Sequence, residues 1–151
     1  MTDQKNNFSI DDGTARMVPE MIVHDIGESR KFWIGLLKFD VVFDRPTFSY
    51  MRRGTIEIML TEKNGHRETG SIEKSLGRGL NFQMFVDDID EIAADLKAAN
   101  WPLYQELHEH WYQSGDVSRG YRQFLVQDPD GYLIRFARKI GRRAVPSAAA
   151  A

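Results

Sequence analysis

An internal repeat limits what this chain can fold into more than any other feature. Ile22-Val23-His24-Asp25-Ile26-Gly27-Glu28 lines up with Phe85-Val86-Asp87-Asp88-Ile89-Asp90-Glu91, so that Asp25 corresponds to Asp88 at an offset of 63 residues. Self-similarity at this spacing marks two copies of one supersecondary module. A module with so few strands cannot bury both faces of its sheet, so the copies are expected to pack together or to pair across a dimer. A concave groove between curved sheets is then the natural place for a ligand.

Both copies have the same order of elements. In the first, Met17 to Val23 is extended and apolar, with Pro19 near its start, where a strand tolerates proline. Asp25 is placed to cap a helix on which Ser29, Phe32, Trp33, Leu36 and Leu37 recur at helical spacing. Strands are expected at 39–43, 48–51 and 56–60, separated by Arg45-Pro46 and Arg53-Gly54. In the second copy, a strand at 80–86 leads to Asp88 and a helix carrying Ile89, Ile92, Ala93, Leu96 and Ala99, which Trp101-Pro102 ends. Strands at 103–110, 121–126 and 132–137 follow. The expected fold is α+β: two tandem βαβββ modules, 17–62 and 79–138, forming curved mixed sheets in one domain over 17–138. A polar loop, 63–78, joins them; 1–16 reads as a flexible arm and 139–151 as a flexible basic, alanine-rich tail.

The last hairpin of the second copy has a clear turn signal. Phe124 to Val126 and Tyr132 to Phe136 flank Asp128-Pro129-Asp130-Gly131, where proline presets φ at the second position and glycine accepts φ > 0. Alternation in the second run aims Leu133 and Arg135 to one side, and Tyr132, Ile134 and Phe136 to the other.

Composition removes several function classes. No apolar run approaches the roughly 20 residues of a spanning helix, and the first residues lack a signal-peptide layout, so a cytoplasmic location is expected. With no cysteine there is no disulfide, thiolate nucleophile or cysteine metal site. A net charge of −2 provides no long-range field for nucleic acid. The local cluster Arg135, Arg138, Lys139, Arg142 and Arg143 reads either as a solvated tail or as a phosphate-binding patch.

These residues resemble a known family. The paired modules, the strand-end Val-x-Asp-Ile, Phe32-Trp33 followed by Leu36-Leu37-Lys38-Phe39, and Gln127-Asp128-Pro129-Asp130-Gly131-Tyr132 are similar to the vicinal oxygen chelate superfamily, which includes glyoxalases, bleomycin-resistance proteins and extradiol dioxygenases. Val18-Pro19, Phe32-Trp33 and Arg122-Gln123-Phe124 most resemble the bleomycin-resistance branch. In the metal-using branches the resemblance implies ligands at positions that fall here on Val18, Glu57, Asn81 and Arg135, of which only Glu57 is a good donor. No metal, cofactor or catalytic residue is therefore expected. The bleomycin-resistance branch implies a homodimer with exchanged arms at Pro19 and a drug held in interface grooves by aromatic stacking, without chemical change.

Phe43 and Phe48 match groove-lining aromatic positions of that branch, while Gly120 stands where a stacking tryptophan is usual, leaving Trp111 or Tyr121 to supply a ring. Trp101 reads as a structural cap. Glu57, Asn81 and Arg135 form the candidate polar end of the pocket, with Arg135 either paired to Glu57 or free to take a ligand carboxylate or phosphate. Glu106, His108 and His110 alternate, so a regular strand presents them on one side as an alternative metal set. The expected function is bleomycin-resistance-like sequestration of a partly aromatic ligand of the glycopeptide antibiotic class. The alternative is a metal-dependent lyase, isomerase or dioxygenase of the same superfamily.

Overall fold

The computed structural model describes residues 13–146. It contains two four-stranded sheets of identical connectivity. In the first, β1 (Glu20–Val23), β2 (Asp40–Arg45), β3 (Phe48–Arg53) and β4 (Ile56–Glu62) lie in the order β1-β4-β3-β2. In the second, β5 (Asn81–Phe85), β6 (Leu103–Ser114), β7 (Val117–Gln127) and β8 (Leu133–Ala144) lie in the order β5-β8-β7-β6. β1 runs parallel to β4 and β5 parallel to β8, while the remaining pairs are antiparallel, so the sheets are mixed as expected.

Each module carries its helix on one sheet face. Asp25 caps α1 (Ile26–Arg30) by accepting the Glu28 N–H at 3.0 Å, and a π-helical segment, Lys31–Leu36, continues it. α2 spans Ile89–Ala98. Asp88 stands at the N-cap position but makes no side-chain cap bond; its carboxylate takes Arg53 instead, at 2.6 and 3.0 Å. A bidentate guanidinium outcompetes a single N–H, and the cap becomes a link between modules.

One core joins the two modules. Phe32, Trp33, Phe39, Met51, Leu60, Ile89, Leu96, Phe124, Ile134 and Phe136 are all buried in it. Trp101, expected to be structural, lies 4.8 Å from Phe32 and donates its indole N–H to the Gln127 carbonyl at 2.9 Å. The expected turn is present: Gly131 has φ of 93° and donates its N–H to the Asp128 carbonyl at 3.0 Å. A Cβ there would also come within 2.5 Å of Ser75.

One expectation about the ends needs correction. β8 continues to Ala144, pairing with β7 down to Val117 with one irregularity at Ile140, so residues 139–144 are strand and not tail. The long β7 supplies backbone partners, and the exposed arginines are compatible with an edge-facing ladder. Residues 1–12 and 147–151 lie outside the described residues. Within the arm, the Ala15 N–H donates to Glu57. Among the described residues, no helix is long and apolar enough to cross a membrane.

Candidate ligand-binding face

The helices cover one side of each sheet, and the other side is open. In the second module the register opposes His108 to Gln123, His110 to Tyr121 and Tyr112 to Arg119, placing these side chains on one face. Phe124 and Phe136 alternate to the opposite, helix-covered face, where both are fully buried. On the open face aromatic rings form a continuous run. Phe85 lies 6.0 Å from Tyr121, Tyr121 lies 5.8 Å from Tyr112, and Tyr112 lies 4.2 Å from His110. Phe85 is 49% and Tyr112 40% exposed, so these are ring surfaces turned toward solvent and not core. The Lys139 ammonium sits 5.0 Å from the centre of the Phe85 ring.

Polar groups lie beneath the rings. Gln123 is only 4% exposed. Its amide donates to the Tyr112 hydroxyl at 2.9 Å and approaches His108 Nε2 at 3.3 Å, while His108 Nδ1 faces the Glu106 carbonyl at 2.9 Å. The carbonyl must accept, so Nδ1 carries the proton and Nε2 accepts from Gln123. Gln123 Oε1 and Arg135 Nε are buried and have no hydrogen-bond partner among the described residues. An unmet acceptor and an unmet donor on one open face are the mark of a surface shaped for something further.

The structure separates several residues that the sequence reading grouped. Glu57, 3% exposed, is held by Arg52 at 2.5 and 2.9 Å and by the Ala15 N–H, not by Arg135. Burial raises its carboxyl most strongly, yet the bonds from Ala15, Arg52 and Tyr50 outweigh that and hold it below the ordinary carboxylate value. Arg135 donates to Gln83 Oε1 at 2.7 Å. Glu57 and Asn81 do line one cavity of about 360 Å³ between β4 and β5, together with Pro19 and Gln83. Phe43 and Phe48 meet on the first module's open side, 6.3 Å apart, with the Arg45 guanidinium 4.6 Å from the Phe48 ring. Trp111, by contrast, opposes Gly120 and lies on the helix side of the sheet, under Arg143 at 4.0 Å, while Tyr121 stays on the open face.

Neither of the two candidate metal sets has the chemistry to hold a divalent ion. Val18 offers no donor, Arg135 brings positive charge, and the Glu57 carboxylate is already engaged by Arg52. In the alternative set, strand irregularities between Leu103 and His108 break the alternation; Glu106 pairs with Lys97 at 2.9 Å while His108 bonds Gln123. Among the described residues, no group of at least three His, Cys, Asp or Glu side chains is arranged to hold a metal.

A second polar cluster joins the modules and was assigned no role from the sequence. His24 Nδ1 lies 2.5 Å from Asp130 and its Nε2 2.6 Å from the Ile72 carbonyl, so this histidine pins the 63–78 loop to the second module's turn. The Asp128 carboxylate accepts the Trp33 indole N–H at 3.3 Å and the Tyr132 N–H at 2.9 Å, and burial pushes its carboxyl up to about 6. Phe85, Tyr112 and Gln123 are likewise given no site role by the sequence, which places Lys139 only in the basic cluster. Continuing the odd-and-even alternation of β6 and β7 beyond residue 110 would have found Tyr112 and Gln123.

Comparisons agree with this architecture. Residues 15–136 match the family model described as Glyoxalase/Bleomycin resistance protein/Dioxygenase superfamily. TioX from Micromonospora sp. ML1 is 22% identical with a TM-score of 0.63, covering 82% of this chain and 98% of that one. A glyoxalase/bleomycin resistance protein/dioxygenase from Alicyclobacillus acidocaldarius is 14% identical with a TM-score of 0.62, covering 87% and 96% respectively. At these identities the likeness is one of fold. A superfamily member from Vibrio splendidus 12B01 is 34% identical over 83% of this chain and 99% of its own, with a TM-score of 0.38. Comparison with curated proteins returns no match.

Proposed function

The chain belongs to the glyoxalase/bleomycin resistance protein/dioxygenase superfamily, and from that premise we propose that it binds and sequesters a small, partly aromatic ligand without transforming it. The observation that carries this reading is the exposed run of rings from Phe85 through Tyr121 and Tyr112 to His110 on the open face of the second sheet. Each ring-on-ring contact with a flat ligand contributes about 0.5–1.5 kcal/mol beyond area burial, so several rings add to the affinity together. The best-placed carboxylate, Glu57, is engaged by Arg52, and Arg135 stands where a further donor would be needed.

In this reading two copies pair, so that the open face of one module looks onto the open face of a partner module and a groove closes between them. Val41, Val42 and Phe43 support it: all three stand exposed on β2, an apolar edge that a second copy would cover. Sedimentation should give a dimer, and Val42→Asp should shift it to monomer; a wild-type monomer at all accessible concentrations would remove the paired groove.

The direct test is equilibrium dialysis of the full chain against a panel of planar aromatic compounds, with a bleomycin-type glycopeptide included, followed by chromatography of the recovered ligand. Binding with ligand returned unchanged is the expected result. No binding across the panel, or appearance of a product, would overturn the proposal.

A further inference from the structure

Positive charge gathers on the same open face and is not neutralised there. Arg119 stands directly opposite Arg142 in the β7–β8 ladder, and Tyr121 opposite Lys139. These residues line one cavity of about 400 Å³ together with Gly120 and Gly141. Like charges directly opposite in an antiparallel pair destabilise a sheet, so an anion placed between them relieves that repulsion.

The chain itself provides the comparison. Arg122 opposes Arg138 in the same ladder, on the helix side, and there Asp90 bonds both, at 2.6 and 3.6 Å. The Arg119 and Arg142 pair has no such carboxylate among the described residues. Nearby acids are engaged elsewhere: Glu106 on Lys97, Asp88 on Arg53 and Asp90 as above. Asp87, Glu109 and Asp116 are exceptions: Asp87 lines a separate small cavity with Phe85 and Lys139, Glu109 stands opposite Arg122, and Asp116 sits in the β6–β7 turn, where its backbone carbonyl accepts the Val145 N–H. Further along the same face, among the described residues, the buried Gln123 Oε1, one ladder step on the same side from Tyr121, lacks a donor.

We infer that the ligand is an aromatic anion, a planar ring system bearing a carboxylate. Its rings lie on Phe85, Tyr121 and Tyr112, and its carboxylate takes the place between Arg119, Arg142 and Lys139 that Asp90 takes between Arg122 and Arg138. A guanidinium pair matches a carboxylate's two oxygens and rejects a cation. The inference rests on the aromatic-binding reading above and specifies its chemistry. It also sets this face against polycationic ligands.

Three probes sharing one ring system separate the two levels. The full chain is titrated calorimetrically with 2-naphthoate, 2-naphthamide and 2-naphthylmethylammonium in low salt. Naphthoate is expected to bind at least about tenfold more tightly than the amide, and the ammonium most weakly. Arg142→Gln and Lys139→Gln, both exposed enough to fold normally, should each reduce the naphthoate preference while leaving amide affinity within about twofold. Equal binding of all three would leave the aromatic reading intact and overturn the charge assignment, as would preference for the ammonium. Failure of all three to bind would overturn both.

Discussion

The Trp111 indole occupies the space over Gly120, its cross-strand partner, so closely that a Cβ built on that glycine would meet the ring at 2.7 Å. The indole comes from the neighbouring strand and fills the helix-side space that a side chain at position 120 would need. Gly120→Ala should therefore lower unfolding stability by about 1–3 kcal/mol through overpacking. The double variant with Trp111→Ala should recover part of that loss, read as the coupling in a denaturant-melt cycle. Additive effects would show that the two side chains do not share the space.

Ring variants distinguish the two sides of the second sheet. Tyr112→Ala and Tyr121→Ala are expected to weaken naphthoate binding by about 1 kcal/mol each, a factor of roughly five, with small effects on melting temperature. Trp111→Phe should leave binding unchanged, because its ring is on the far face. Loss of binding in the Trp111 variant alone would reverse the assignment of faces.

Stability should depend on pH through Asp128 in an unusual direction. Burial raises its carboxyl from 3.8 to about 6, against the N–H bonds from Tyr132 and Trp33, so the folded state holds this proton more tightly than the unfolded state does. The sign follows: its contribution is complete below about pH 4 and is lost as pH rises through about 6, a change of roughly 3 kcal/mol. Asp88 and Glu57 work the other way. Arg53 lowers Asp88, and the bonds from Ala15, Arg52 and Tyr50 overcome burial at Glu57, so both contributions are lost on acidification. Subtracting Asp128→Asn from wild type isolates the first effect: the variant should gain relative stability between about pH 4 and 7. A flat difference would mean that Asp128 does not titrate in that range.

Removing the partner of His24 should loosen a specific segment. Asp130, 2% exposed, bonds His24 at 2.5 Å, and His24 in turn holds the Ile72 carbonyl at 2.6 Å. Asp130→Ala is expected to cost about 3 kcal/mol, since it leaves the His24 ring with an unmet group at a half-buried site. Tryptic cleavage after Lys74 or Arg78 should accelerate under native conditions. Unchanged cleavage with lowered global stability would place the effect in the core and not in the loop.

Much of the fold was legible from local pattern. The repeat centred on Asp25 and Asp88, the alternating strands, the capping carboxylate of Asp25 and the positive φ of Gly131 depend on backbone preferences and short-range periodicity, which neighbouring residues carry. That information sufficed for two βαβββ modules and for the face on which Ile134 and Phe136 are buried.

The site was not legible in the same way, because it depends on register. A shift of one residue turns a side chain to the other face of a sheet, and irregularities between Leu103 and His108 and between Gly120 and Tyr121 introduce such shifts. They send Trp111 to the helix side, separate Glu106 from His108 and set Lys139 beside Phe85 and Tyr121. Choice of charge partner is equally long-range: Glu57 takes Arg52 and Asp88 takes Arg53, leaving Arg135 with Gln83. The repeat, strands and turns followed from the chain read along its length; which aromatic rings and cations share a surface followed only from strands paired across it, where geometry, not proximity in sequence, decides what meets.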